Sequence, residues 1–277
     1  MKNRIHYVSG YWPLPKNLKN DLAHYFKLLP RTLSRLSGQN LKFFSSDQYV
    51  LDLVVQQSSI YGINCETSLL PFDSLPRRAL AEALVESCAR MKLDQWSKSS
   101  KFFSEKGVTH YWRDLQESGV VVYTNLLSIW LSKVALVVQT ASENNHNIPL
   151  AWIDCSLQRI SNKRTNWRYW SQSVSPSCVS HYASPMKYYG RLLPVSAGYL
   201  SAYLPVWNEL NSLFDEVAWQ ASRMSYGHDE ETILFECFSR RPELFNCIGK
   251  PYSCLSLLSS FRERSYDFLR GLSDPLS

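Results

Sequence analysis

Ile148-Pro149-Leu150-Ala151-Trp152-Ile153 is an almost unbroken apolar run, and it stops abruptly at Asp154-Cys155-Ser156. Such a run fits a central strand buried on both faces of a sheet. In open α/β sheets ligands bind just beyond the carboxyl ends of the strands. A carboxylate at that point is therefore well placed for chemistry. An aspartate can also end a strand as a turn residue or helix cap, but so apolar a strand before it weighs toward a ligand-binding role.

Upstream, residues 125–143 carry apolar side chains almost all round, the pattern of a buried helix. Lys133 shares a face with Leu126, Trp130 and Val137. It must either reach to the surface or meet a negative partner, and surface reach is the commoner fate of a lysine. Toward the N-terminus, residues 4–8 read as a strand, followed by a loop through Ser9, Gly10, Pro13 and Pro15. Residues 18–29 have helical spacing, and Pro30 starts a second helical piece that Gly38 ends. A strand at 41–44 closes in Ser45-Ser46-Asp47, and a helix at 50–61 stops at Gly62. Strand, helix, strand, helix predicts a mainly parallel sheet with helices on its faces.

Ser74-Leu75-Pro76 reads as a helix start with Ser74 as N-cap. Residues 94–119 have no clear period, and 120–123 read as a short strand or a helix lead-in. Beyond the central strand, 161–180 reads as a polar loop, and Ser196-Ala197-Gly198 as a stretch of small residues. Residues 206–221 form an amphipathic helix, and 229–239 a second helix closed by Arg240-Arg241-Pro242. The expected architecture is a single α/β domain over 1–277, a mainly parallel sheet flanked by helices with a helical C-terminal part.

Composition narrows the function. Hydrophobic residues make up 45% and charged residues 19%, enough for a sizeable core. The net charge of +6 suits an anionic ligand such as a nucleotide diphosphate, or an acidic membrane surface, and falls short of a dedicated nucleic-acid binder. The 7 cysteines are scattered with no Cys-x-x-Cys pair, which argues against a disulfide framework or zinc cluster. The start of the chain is too polar for a signal peptide, and the apolar stretch at 126–138 is shorter than the roughly 20 residues of a membrane span. A cytoplasmic protein, peripheral at most to a membrane, is expected. With 10 glycines and no phosphate loop, Gly-x-Gly-x-x-Gly, Gly-x-Ser-x-Gly or His-Glu-x-x-His, nucleotide hydrolases, dinucleotide enzymes, elbow hydrolases and zincins are disfavoured.

The order of several short passages resembles the WlaTC/HtrL family of bacterial glycosyltransferase-like proteins. They are Tyr7-Val8-Ser9-Gly10-Tyr11, Leu41-Lys42-Phe43-Phe44-Ser45-Ser46-Asp47, Trp130-Leu131-Ser132-Lys133, Leu150-Ala151-Trp152-Ile153-Asp154, Ala197-Gly198-Tyr199-Leu200 and Asp229-Glu230. The resemblance implies a GT-A-like (Rossmann-like) fold, with a nucleotide-sugar-binding half at 1–157 and an acceptor-side, helical half at 158–277, and transfer of a sugar, such as a hexose, from a nucleotide-sugar donor to a hydroxyl acceptor. UDP is the favoured nucleotide and a bacterial surface polysaccharide the favoured acceptor. It implies donor contacts at Val8, Ser9, Gly10, Tyr11, Asp47, Lys133, Asp154, Ser156 and Gly198, with Asp229 or Glu230 as catalytic carboxylate. Such transferases stabilise the leaving diphosphate with a divalent metal, Mn²⁺ or Mg²⁺, or with basic groups. Where an Asp-x-Asp motif is expected, this chain has Asp154-Cys155-Ser156. The metal set is then Asp154, Ser156 and a histidine, His228 or His181; alternatively Lys133, Arg159, Lys163 or Arg164 neutralises the diphosphate. Arg159, Lys163, Arg164 and Arg168, with Trp167 and Trp170, read as a solvated loop, a lid over the diphosphate or, last, a nucleic-acid platform. A non-catalytic nucleotide- or glycan-binding protein and a nucleic-acid-associated factor are the rival readings.

Overall fold

The computed structural model describes residues 4–14, 22–89, 106–144, 148–157, 174–184, 187–188, 191–223 and 229–249. Its centre is the apolar run: β4 (Leu150–Ile153) is buried at every residue. Beside it lies β1 (His6–Gly10), and outward from β1 come β2 (Asn40–Ser45) and β3 (Asn64–Leu69), all parallel. On the other side of β4 stand β8 (Tyr199–Ala202), antiparallel to its neighbours, then β5 (Val179–Tyr182) and β9 (Phe245–Gly249). Among the described residues this makes one mostly parallel seven-stranded sheet of order 3-2-1-4-8-5-9. A small hairpin, β6 (Lys187–Tyr188) with β7 (Arg191–Leu192), stands apart.

Helices cover both faces. Neighbouring residues of β4 point to opposite sides, so Trp152 joins one hydrophobic cluster and Ala151 and Ile153 the other. The first cluster packs α3 (Arg78–Ala89), α4 (Lys106–Asn144), α5 (Leu204–Ala221) and α6 (Glu230–Arg240) against the sheet. The second packs α1 (Leu22–Ser34) and α2 (Gln48–Ile60). An α/β class with a flanked, mainly parallel sheet is thus as the sequence predicts.

Several local expectations change. The first strand is shifted by two residues, to His6–Gly10, so Ser9 and Gly10 belong to it rather than to the loop. Pro30 lies inside α1 rather than starting a new helix. Leu28 and Leu29 before the proline and Leu33 after it are all buried, so packing carries the helix through the proline. Ser74 ends a short 3₁₀ turn, and the helix begins at Arg78. Residues 120–123 are helical, inside α4. The part beyond 157 is not simply helical: β8, β5 and β9 complete the sheet. Strand β3 went unread because it is a polar edge strand, half exposed along its length. Much of the expected 161–180 loop lies outside the described residues.

Helix α4 breaks its φ/ψ at Gly119, where φ is 77°, a conformation that favours glycine. Its later limb, Ser118–Ser142, is long and apolar enough to cross a membrane by length and composition, which corrects the shorter estimate from the sequence. In this fold 56% of its most apolar 18 residues are buried, as suits a core helix. Arg77 clamps it. Its guanidinium donates to the Leu131 carbonyl at 2.8 Å, to Asp215 at 2.7 Å and to Asn211 at 2.7 Å, and lies 4.4 Å from the centroid of Phe214. Its amide donates to the Ser132 hydroxyl oxygen at 3.2 Å. Arg77→Ala is therefore expected to cost about 3 kcal/mol of stability, by stranding buried acceptors. Arg77→Lys should recover only part of this, because an ammonium lacks the planar fork. Urea unfolding at constant m-value measures both.

Candidate functional site

Asp154 is the first residue past β4, yet it is still bonded into the sheet: its amide donates to the Gly198 carbonyl at 2.9 Å. One carboxylate oxygen is fixed. Oδ1 accepts from the Trp152 indole N–H at 2.8 Å and faces the Lys133 ammonium at 3.0 Å. Lys133 comes from the middle of α4 and donates also to Glu230 Oε1 at 3.0 Å. Three elements thus meet on one charge: the end of β4, α4 and the first turn of α6.

Lys133 and Glu230 are 5% and 8% exposed, whereas the Asp154 side chain is 21% exposed, so the triad opens on the aspartate's side. Oδ2 of Asp154 has no protein donor among the described residues. It faces the Gly198 turn, where a Cβ would lie 3.6 Å from it. Burial pulls the Lys133 pKa down, but Asp154 and Glu230 push it up further, so the ammonium stays charged. Burial pushes the Glu230 carboxyl well above the usual range; Lys133 pulls it back, and Asp229 and Glu231 add to the rise. The sequence favoured surface reach for Lys133; the structure buries it against two carboxylates instead, Glu230 buried and Asp154 partly exposed.

The remaining candidates divide. Asp229 is the N-cap of α6: its Oδ1 accepts from the Thr232 amide at 2.9 Å, and the Asp229 amide donates to the Thr232 hydroxyl at 2.9 Å. That capping box accounts for the carboxylate structurally. Val8 is fully buried in the first cluster and supports the sheet. Ser9 donates to the Ile153 carbonyl at 2.6 Å and ties β1 to β4. Gly10 is required by the Trp12 ring, since a Cβ there would lie 2.4 Å from Cζ3 of that ring. The Tyr11 ring lies 4.4 Å from that of Tyr25, tilted by 43°, and lines a small apolar pocket with Phe26, Phe43 and Cys155. Asp47 caps α2, accepting from the Tyr49 amide at 2.8 Å. Ser156 is buried beside Asp154 in sequence. Arg159, Lys163, Arg164, Arg168, Trp167, Trp170 and His228 lie outside the described residues.

Glu231 is a residue the sequence reading missed. Its Oε1 accepts from the Ala197 amide at 3.1 Å and its Oε2 from the Ser184 hydroxyl, so it joins the segment before β8 to the segment after β5. An acid in the first turn of a helix is explained by the dipole alone, which hides any such second role.

Among the described residues, the donor set does not suit a divalent metal. The ammonium of Lys133 already bridges Asp154 and Glu230. His181 is 1% exposed, with burial pushing its pKa down to about 4, and its Nε2 has no partner among the described residues. Among the described residues no group of three His, Cys, Asp or Glu side chains is arranged to hold an ion. Comparison with protein-family models and with curated proteins finds no match to this chain.

The Glu231 carboxyl is pushed up to about 7, first by burial and then by Asp229, against the pull of Ser184 and Ala197. In the unfolded chain a glutamate titrates near about 4.3. The folded state therefore holds an extra proton between these values. Its contribution to stability is complete below the lower value and lost as pH rises through the upper. Unfolding free energy should fall by about 1–3 kcal/mol between about pH 5 and about pH 8. Glu231→Gln can still meet Ala197 and Ser184, and should show a shallower slope in urea titrations across that range.

Proposed function

We propose that this chain is a glycosyltransferase that moves a sugar from a nucleotide-sugar donor, preferably a UDP-hexose, to a hydroxyl acceptor, with a bacterial surface glycan as the acceptor class. The observation that carries this reading is the Asp154 carboxylate, held at Oδ1 and open at Oδ2. It stands at the carboxyl ends of β1 and β4, where the strand order 3-2-1-4 reverses direction. Crevices of that kind are where open α/β sheets bind nucleotides. The order of short motifs shared with the WlaTC/HtrL family is the support from sequence, and a GT-A sheet is the finer architecture the reading implies.

In such a transfer the bond from the anomeric carbon to the diphosphate breaks and one to the acceptor oxygen forms. The acceptor proton passes to a carboxylate as the nucleoside diphosphate leaves. Asp154 Oδ2 accepts a hydrogen bond from a donor hydroxyl in this reading. Tyr11 and Tyr25 offer an aromatic face to the base. With Asp229 committed to its cap, Glu230 is the carboxylate left for the acceptor. Cytoplasmic action at the inner face of a membrane fits this role.

The ion pairing of both Asp154 and Glu230 favours a second reading, a nucleotide- or glycan-binding protein that does not turn a donor over. Titration calorimetry with UDP, GDP and CMP addresses both. UDP is expected to bind with a dissociation constant below about 1 mM, and silence from all three nucleotides sinks the donor site. Asp154→Asn should lower nucleoside diphosphate release from UDP-sugars by about 100-fold or more while leaving the fold intact. Binding without release by the wild type supports the second reading.

A further inference from the structure

The expected metal and the observed residues disagree, and the disagreement has a chemical content. A Mg²⁺ ion sits about 2.1 Å from its oxygen ligands and demands several of them. Here the position between Asp154 Oδ1 and Glu230 Oε1 is taken by a nitrogen 3.0 Å from each. That nitrogen is delivered by the buried limb of α4, whose depth is set by the Arg77 clamp on Leu131 and Ser132. It is not a mobile surface lysine that an ion displaces at little cost. Oδ1 is further committed to the Trp152 indole. Of the three N–H groups of an ammonium, two go to the carboxylates, and the third has no protein acceptor among the described residues.

We propose that the Lys133 ammonium is the resident cation of this site, standing where the resemblance implies a divalent metal, and that Asp154 and Glu230 bind such a metal only when the ammonium is removed. The lysine's use in neutralising a diphosphate rests on the nucleotide-sugar reading; its exclusion of the metal does not. A fixed ammonium supplies one positive charge and one remaining donor, enough to hold a phosphate oxygen without recruiting an ion. Site occupancy is then independent of the concentration of free metal.

The test is an Mn²⁺ titration followed by the electron paramagnetic resonance signal of the free ion, on the wild type, Lys133→Ala and Asp154→Asn, with circular dichroism to check folding. The wild type should show no site tighter than about 1 mM, and Lys133→Ala should gain one at least about tenfold tighter. A wild-type site in the range of tens of micromolar that Asp154→Asn abolishes overturns the proposal. So does a folded Lys133→Ala variant that gains no affinity. Should that variant not fold, the wild-type titration decides alone. UDP is titrated in parallel, in EDTA and in Mn²⁺. Equal affinity within about twofold supports the proposal, and tightening by more than about tenfold in Mn²⁺ that depends on Asp154 counts against it. Absence of UDP binding under both conditions refutes the nucleotide reading and leaves the Mn²⁺ result to decide the lysine's role.

Discussion

One buried ammonium organises the carboxyl edge of this sheet. A lysine removed from water without a partner loses its proton or unfolds its surroundings. Lys133 keeps its charge because Asp154 and Glu230 stand on either side of it. Each partner belongs to a different element, so satisfying one charge fixes α4, the end of β4 and the start of α6 relative to one another. Removing the lysine leaves two carboxylates facing each other with no counter-charge, and a buried charge left uncompensated typically costs about 3–5 kcal/mol. That figure measures the damage, not the net gain of the triad over an apolar core. The gain lies in geometry: one aspartate oxygen is immobilised and the other is presented.

Two further polar devices surround the triad. Arg77 sets how deep α4 sits, through a main-chain carbonyl two residues before the lysine. Glu231 pins the Ala197 amide next to Gly198, whose carbonyl receives the Asp154 amide. The acidic run at the start of α6 is therefore divided by labour. Asp229 caps, Glu230 pairs and Glu231 staples two loops. Close in sequence, the three meet different surroundings, and burial pushes the carboxyls of the latter two upward for that reason.

What the sequence revealed follows from what periodicity can carry. The β4 run, the helical stripes of α2, α4, α5 and α6, and the carboxylate at the strand end were all legible, because each is a local pattern. Strand β3 was not, since a half-exposed edge strand of Asn, Cys, Glu, Thr and Ser has no apolar signature. The continuation of α1 through Pro30 was hidden because leucines on both sides of the proline decide it, through contacts with distant elements. The pairing of Lys133 with Glu230 has no local signature: Glu230 lies 97 residues away, and its position at a helix start supplied a sufficient local reason for an acid. The same sufficiency hid Glu231, and it made Asp229 attractive as a catalytic group when its side chain is spent on Thr232.

The antiparallel course of β8 has a dynamic consequence. Binding residues are commonly drawn from the loosely held parts of a fold. Asp154 is not, because its amide forms one more rung of the ladder between two fully buried strands. Its amide proton should exchange with solvent only when the central sheet itself opens. A ligand therefore meets a carboxylate as stiff as the core, and whatever adjustment recognition demands must come from the side chains and segments around it.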